Sequence, residues 1–240
     1  MIILQAVKVL ILSMLGFIAA FALTPVVVRA LTAFKAAKQI RETGQTPIFS
    51  SLHKKKAGTP TMGGVVVWGT VITVMLVLWL GSVLFDGFFT YLNFFDRAQT
   101  YLPFAAMAIA GVIGLADDAL GVLGIGPQGG GLKVKHKLLV YFALALLGSL
   151  WFYFRLDWTT LAVPFIGNVS IGWLAVPFFI FVIVASAFSA NETDGLDGLA
   201  GGVMLFGFIA LTVVAFVLGR YSLATFGGVT IGALLAFLWF

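Results

Sequence analysis

The chain has no cysteine and few charged residues. Without cysteine, neither a disulfide bond nor a thiolate metal site can form. Only 10% of the residues are charged, whereas 61% are hydrophobic and the mean hydropathy is +1.12, far from the composition of soluble domains. We therefore expect an integral membrane protein.

Three further absences narrow the class of protein. The sequence has no Gly-x-x-x-x-Gly-Lys-Ser/Thr loop, which argues against an ordinary nucleotide-hydrolysing motor. It has no basic nucleic-acid-binding motif, so membrane topology explains the net charge of +5 better than a nucleic-acid partner does. The first apolar run has no small-residue cleavage site and reaches spanning length, which predicts a retained helix instead of a signal peptide.

Seven apolar runs are long enough to cross the hydrocarbon core, which takes roughly 20 helical residues. They are approximately Val9–Val28, Gly63–Leu84, Leu102–Ala116, Leu138–Phe154, Ile171–Phe188, Gly202–Leu218 and Ser222–Phe240. Between the fourth and fifth runs, the segment Thr159–Val169 is predicted to be a short strand or a re-entrant piece. The sequence thus predicts an all-α, polytopic helix bundle with a single membrane domain over residues 1–240.

The lysines and arginines predict the orientation in the membrane. Of the 14 basic residues, ten lie in two segments: Arg29, Lys35, Lys38, Arg41, Lys54, Lys55, Lys56, Lys133, Lys135 and Lys137. By the positive-inside rule these segments are cytoplasmic. The amino terminus is then outside, the carboxy terminus is cytoplasmic, and the outer basic residues are Lys8, Arg97, Arg155 and Arg220.

Acidic residues gather on the same predicted cytoplasmic face. Five of the nine acids lie beside the ends of apolar runs on that face: Asp117, Asp118, Glu192, Asp194 and Asp197. Such residues usually face a polar cavity or a membrane surface, since an ionised carboxylate at the membrane centre costs roughly 2.5–3.5 kcal/mol. Asn191, Asp194 and Asp197 are spaced three apart, and on a helix successive members would lie about 60° apart and address one ligand.

Carboxylates beside lysines at a membrane surface favour phosphate chemistry. Mg²⁺ is usually held by one or two carboxylates together with substrate phosphates, and lysines neutralise phosphate charge as point cations. Phosphoryl transfer depends mainly on positioning and on electrostatic stabilisation of the phosphate oxygens. The two kinds of side chain together predict a site for a pyrophosphate and a metal ion.

Three segments, in order along the chain, carry a family resemblance: Gly58–Gly64, Gly111–Asp118 and Asn191–Ala200. Together they resemble the polyprenyl-phosphate N-acetylhexosamine-1-phosphate transferases, over nearly the whole chain. Within that superfamily the element Thr-Pro-Thr-Met-Gly-Gly is most similar to the phospho-N-acetylmuramoyl-pentapeptide transferases. Further agreement comes from His53, Lys56, Gly131, Leu132, Lys135 and Lys137.

The resemblance implies a reaction. Phospho-N-acetylmuramoyl-pentapeptide would pass from its UDP-linked donor (UDP-MurNAc-pentapeptide) to undecaprenyl phosphate, releasing UMP and forming lipid I for peptidoglycan, with Mg²⁺ required. One substrate is soluble and the other is a lipid, so an active site at the cytoplasmic boundary of the bacterial inner membrane would serve both. A homodimer fits the family, but no residue in this chain requires one.

The resemblance also implies roles for individual residues. The catalytic set is Asp117, Asp118, Asp194 and Lys137, in which the Asp pair deprotonates or positions the lipid phosphate. We expect the pair to divide its labour, because adjacent helical residues diverge by about 100°. Lys137 and Lys135 would hold the pyrophosphate, and Asn191 and Asp118 would ligate the metal. The substrate-binding set is Lys56, Thr59, Thr61, Lys135, Gly195, Leu196 and Asp197.

The chain departs from the family pattern in two places. Phe188 stands where the family usually has an asparagine, three positions before Asn191. Family members also continue from a segment like Ala236–Phe240 into a loop with another metal-binding aspartate and then a histidine-rich loop. We therefore expect the 240 residues to be an amino-terminal fragment with little or no transferase activity of its own.

Other functions remain open at this stage. A related enzyme that moves N-acetylglucosamine-1-phosphate or a similar sugar phosphate would carry many of the same residues. An ion-coupled transporter would place acids near the bilayer midplane and show an inverted repeat, and neither is visible here. A non-catalytic membrane scaffold is the third alternative. The glycine pairs Gly63-Gly64 and Gly201-Gly202 are either helix-packing or substrate-contact residues.

Overall fold

The structure is a computed structural model that describes residues 2–34, 61–95, 98–126, 131–193 and 198–240. In this part of the chain, two short strands follow and precede helices, and a 3₁₀ turn, Gly172–Leu174, precedes α6. The elements are α1 Ile2–Ala33, α2 Val65–Leu84, α3 Phe88–Leu92, α4 Ala98–Val122, α5 Val134–Arg155, β1 Thr160–Val163, β2 Gly167–Ser170, α6 Ala175–Thr193, α7 Leu199–Val217 and α8 Tyr221–Trp239.

Within the described ranges, seven helices are long and apolar enough to cross a membrane, which confirms the all-α, multi-pass architecture. Each predicted apolar run has its helix, but two helices extend well beyond their runs. α1 begins at Ile2 and includes Arg29, and α4 continues through Asp117 and Asp118 to Val122. An apolar run marks only the part of a helix suited to hydrocarbon, whereas backbone hydrogen bonding continues into the polar interface.

The chain folds into two compact units. The first contains residues 1–132 and 201–240, and the second contains residues 133–200. Each unit is described by itself below.

Small residues hold α1 and α8 together in the first unit. A Cβ at Gly228 would lie 3.1 Å from Cγ1 of Val9, and one at Gly232 would lie 2.8 Å from the backbone nitrogen of Phe17. Further along both helices, the rings of Phe21 and Phe240 lie 4.9 Å apart. These contacts advance together along both helices, so α1 and α8 run parallel and their backbones approach closely, as small residues allow in membrane proteins.

A buried lysine fastens the start of α1. Lys8 is only 8% exposed, and its Nζ donates a hydrogen bond to the carbonyl oxygen of Asn93 at 3.0 Å. The same ammonium group lies 5.2 Å from the centroid of the Tyr91 ring. Tyr91 in turn donates its hydroxyl proton to the carbonyl oxygen of Leu4 at 2.8 Å. The segment around α3 is therefore bound to the first turns of α1.

The second unit is an antiparallel helix pair joined by a hairpin. Phe152 of α5 and Phe179 of α6 have ring centroids 4.4 Å apart, and a Cβ at Gly148 would lie 3.6 Å from Cδ1 of Ile183. Earlier residues of α5 therefore contact later residues of α6, so the two helices are antiparallel. At the far end, β1 and β2 pair antiparallel from Thr160↔Ser170 to Val163↔Gly167. Of the two alternatives predicted for residues 159–169, the structure has the strand.

Candidate functional site

The Asp117-Asp118 pair lies on the last turns of α4 in the first unit. Both side chains are half-buried. Since α4 continues to Val122, the two carboxylates are fixed on a helix and not on a loop. Adjacent helical positions diverge by about 100°, which gives the two side chains different surroundings.

The start of α2 lies at the same end of this unit as the Asp pair. α2 and α4 pack against each other. Gly111 of α4 lies against the ring of Trp68 in α2, where a Cβ on the glycine would be only 2.8 Å from Cδ2. From this contact Asp118 lies seven residues forward on α4, and Thr61 lies seven residues back toward the start of α2. Only residues 85–97 separate these two candidate membrane spans, so the helices run in opposite directions, and the first and second sequence motifs lie at the same end of the unit.

A hydrogen bond ties Asp117 to the loop after α4. The backbone N–H of Leu132 donates to Asp117 Oδ1 at 2.5 Å, and the N–H of Gly131 donates to the carbonyl oxygen of Ile125 at 3.0 Å. Gly126 and Gly131 have φ of +126° and +90°, and their backbones approach too closely for a side chain at Gly126. Asp117 thus holds the end of the loop that leads to the predicted lysine cluster.

One glycine of each motif pair is a packing residue. A Cβ at Gly63 would lie 3.1 Å from Cε2 of Phe237, and one at Gly201 would lie 2.8 Å from Cδ2 of Leu238, both on the last turn of α8. Gly64 and Gly202 would meet nothing within 4 Å. The first glycine of each pair therefore allows close helix packing, and the second borders open space beside the site.

The second unit carries another group of predicted site residues. Lys135 and Lys137 lie on the first turn of α5, and Asn191 lies on the last turn of α6. Lys135 and Asn191 are exposed, whereas Lys137 is half-buried. Because α5 and α6 are antiparallel, these residues share the end of the unit opposite the β-hairpin.

The remaining predicted site residues lie outside the described ranges. They are Lys56, Thr59, Asp194, Gly195, Leu196 and Asp197. Among the residues that the structure does describe, no group of three or more histidine, aspartate or glutamate side chains is placed to hold a metal ion. The two predicted metal ligands, Asp118 and Asn191, both lie within the described ranges.

Reasoning from sequence predicted no role for two residues that contribute to the site, Leu132 and Phe237. Leu132 acts through its backbone N–H, which any residue except proline offers, so its identity gives no signal. Phe237 lies beneath the first motif, but its ring is one of 24 phenylalanines in the chain. The short spacing between Gly126 and Gly131 was the available signal for the loop, because glycine tolerates positive φ.

Comparison with known proteins places this chain in a family. Residues 100–240, which contain the Asp pair, match the family model of glycosyl transferase family 4. The chain belongs to glycosyl transferase family 4. Residues 56–66, which include Thr61 and Gly63, also match signature 1 of phospho-N-acetylmuramoyl-pentapeptide-transferase.

Curated relatives support the same family over nearly the whole chain. The phospho-N-acetylmuramoyl-pentapeptide-transferase of Listeria welshimeri is 34% identical over 229 residues, covering 93% of this chain and 65% of the relative. Those of Clostridium novyi and Thermoanaerobacter pseudethanolicus are 33% and 32% identical, over 94% and 96% of this chain and 63% and 66% of the relative. This family member therefore spans about two thirds of the length of the relatives it matches.

Proposed function

We propose that this protein transfers phospho-N-acetylmuramoyl-pentapeptide from its UDP-linked donor to undecaprenyl phosphate, releasing UMP and forming lipid I. The observation that carries the proposal is the 34% identity, over 93% of the chain, to a phospho-N-acetylmuramoyl-pentapeptide-transferase. The signature at residues 56–66 supports this branch of the family over one acting on another sugar. We place the reaction at the cytoplasmic face of the inner membrane, where the soluble donor and the lipid acceptor meet.

The acidic pair supplies the chemistry that the acceptor phosphate needs. We propose that Asp117 and Asp118 deprotonate or position the phosphate of the lipid, so that one of its oxygens attacks the β-phosphorus of the UDP-linked donor. UMP then leaves, and a new pyrophosphate links the sugar to the lipid. General acid–base help of this kind usually contributes about 10²–10⁴-fold to the rate.

Asp117 and Asp118 have different roles in this scheme. Asp117 Oδ1 already accepts a hydrogen bond from Leu132, so this carboxylate also positions the loop that precedes the lysines. We propose that Lys135 and Lys137 bind the pyrophosphate of the donor as cations. Lys56, Thr59, Thr61, Gly195, Leu196 and Asp197 are proposed to bind substrate, and Asp194 to act in catalysis.

The described residues suit Mg²⁺ as the metal. Carboxylate oxygens are the hard ligands that Mg²⁺ prefers, and the ion commonly takes one or two of them together with phosphate oxygens and water. Asp118 and Asn191, the predicted ligands, each carry a side-chain oxygen. When bound, Mg²⁺ would neutralise charge on the phosphates.

The experiment that tests the proposal is a UMP-release assay on the complete gene product in detergent. It is supplied with UDP-linked muramoyl-pentapeptide, undecaprenyl phosphate and Mg²⁺. UMP release that stops with EDTA and returns with added Mg²⁺ is the expected result. The matched control is the Asp117→Asn, Asp118→Asn double variant, which should release no UMP above background.

Two other results would contradict the proposal in different ways. UMP release from UDP-N-acetylglucosamine but not from the muramoyl donor would assign the protein to a related transferase. No release from either donor would favour a scaffold or a transporter. That the 240 residues alone have little activity stays a prediction, and assaying them beside the complete gene product tests it. Crosslinking in the same preparation tests the proposed homodimer.

A further inference from the structure

The turn between β1 and β2 exposes two large apolar side chains. Phe165 is completely exposed, and Ile166 is 75% exposed. Singly exposed apolar residues are common on proteins, but two adjacent ones at the tip of a hairpin form an apolar point. These two side chains contribute little to the stability of the fold, since neither is buried.

The backbone at this tip is also strained. Pro164 and Phe165 are the central residues of a turn closed by the N–H of Ile166, which donates to the carbonyl oxygen of Val163 at 3.1 Å. Phe165 has φ of +68°, a conformation that glycine or asparagine adopts far more readily than an aromatic residue. A bulky ring in this position suggests a contact outside the chain, because strain of this kind often accompanies function.

The hairpin has one apolar face and one more polar face. Successive side chains of a strand point to opposite faces, and directly paired residues share a face. The register therefore places the apolar side chains Leu161, Val163 and Val169 together, opposite Thr160, Ala162, Asn168 and Ser170. The apolar face continues into the apolar tip.

The hairpin is fastened to the helices that precede and follow it. Trp158 packs its ring against Phe179, at 5.2 Å between centroids, and against Phe152 at 6.3 Å. On the other side, the N–H of Ile171 donates to the carbonyl oxygen of Thr159 at 2.8 Å. These contacts hold the hairpin at the ends of α5 and α6.

This end of the second unit is where lipid headgroups would meet the protein. α5 and the helix that includes α6 are both apolar enough to cross a membrane, so the hairpin between them starts at the bilayer surface. Exposed aromatic residues, Phe154 and Trp173, flank the hairpin. Aromatic side chains concentrate at this depth in membrane proteins because their rings suit the boundary between headgroups and acyl chains.

We propose that the β1–β2 hairpin lies along the membrane surface and inserts its Phe165-Ile166 tip into the phospholipid bilayer as an interfacial anchor. We propose the bilayer, and not another protein, as the partner of the tip because the hairpin directly joins the membrane-spanning helices α5 and α6. The anchor does not depend on the transferase reaction or on which side of the membrane the hairpin occupies. It fixes the depth of α5 and α6 in the bilayer.

The absence of cysteine allows a direct test. Ile166→Cys at the tip and Asn168→Cys on the polar face each receive a nitroxide label, in the full chain reconstituted in nanodiscs of phosphatidylcholine and phosphatidylglycerol. Electron paramagnetic resonance then compares relaxation by oxygen, which partitions into lipid, with relaxation by a water-soluble nickel chelate. The expected oxygen-to-nickel ratio is several-fold higher at position 166 than at position 168.

One control variant and two refuting outcomes complete the test. Adding Phe165→Ser to the Ile166→Cys protein should lower the ratio toward the value at position 168, and size-exclusion chromatography checks that this variant is still folded. Equal ratios at both positions would refute the anchor. A label at position 166 shielded from both relaxing agents would also refute it, because the tip would then be covered by another protein surface.

Discussion

At the scale of single residues, Asp117 has two jobs that substitutions can separate. Its Oδ1 accepts the N–H of Leu132, and its charge is proposed to act on the acceptor phosphate. Asparagine keeps an acceptor oxygen but loses the charge, whereas alanine loses both. The two variants therefore distinguish holding the loop from taking part in the reaction.

We expect Asp117→Asn to lower turnover by at least about 10²-fold, the usual scale for losing a general acid or base, with little loss of thermal stability. Asp117→Ala should lose the same activity and also destabilise the protein by about 1–3 kcal/mol, since the N–H of Leu132 loses its partner. UMP release and thermal unfolding in detergent measure the two effects. Full turnover in Asp117→Asn would leave this residue only its role in the loop.

Gly131 offers a second test of the same contact. In Gly131→Ala the new Cβ would lie 3.1 Å from Asp117 Oδ1, so we expect about a tenfold fall in turnover, corresponding to about 1.4 kcal/mol. The matched control is Gly124→Ala. That residue also has positive φ, +67°, but its Cβ would meet nothing within 4 Å. Both variants share the cost of the backbone conformation, about 1–2 kcal/mol, which thermal unfolding measures.

If both glycine variants lose the same activity, the backbone conformation alone explains the effect. The contact with Asp117 would then have no part in catalysis.

At the scale of elements, the parallel contact between α1 and α8 is the closest helix packing described in the first unit. Three glycines of this contact, Gly16, Gly228 and Gly232, leave no room for a Cβ. Among the candidate spans α8 is also the most buried, with 61% of its most apolar window inside the protein, whereas none of the corresponding window of α7 is buried. Shape complementarity therefore holds α8, whereas the side chains of α7 are half-buried or exposed.

Gly232→Ala should destabilise this contact by about 1–3 kcal/mol, the usual cost of overpacking. Gly207→Ala, in the exposed part of α7, is the control because its Cβ would meet nothing within 4 Å. We expect the control to be neutral or stabilising by up to about 1 kcal/mol, since alanine favours helix over glycine. Thermal unfolding in detergent compares the two variants, and equal stability would argue against tight packing at Gly232.

The elements were largely predictable from sequence, but their contacts were not. Apolar length alone predicted the spans, because a helix must satisfy its own backbone in hydrocarbon. Lys8 was expected only to mark the outer side, yet it binds the carbonyl oxygen of Asn93, 85 residues away. A backbone acceptor leaves no trace in the sequence. Likewise, the sequence predicted Asp117 and Asp118 as site residues, whereas the hydrogen bond from Leu132 required the structure.

At the scale of the whole molecule, the basic residues predict the orientation of the chain in the membrane, and labelling of single cysteines tests it. Cysteine at Val134, at the start of α5, should react with a membrane-impermeant maleimide only after the cells are opened. Cysteine at Asn168 in the hairpin should react in intact cells. Both positions are exposed, so access to the reagent decides the result. The reverse pattern would invert the predicted topology.

The pairing of α1 with α8 also has a consequence for synthesis. Gly16 leaves the ribosome more than 200 residues before its partner Val229. At about 5–20 residues per second, α1 waits roughly 10–40 s in the bilayer before α8 arrives. During that time its glycine-lined surface lacks its final partner. Substitutions that weaken this surface should therefore lower the amount of protein that accumulates in the membrane. The turnover of the molecules that do fold should change less.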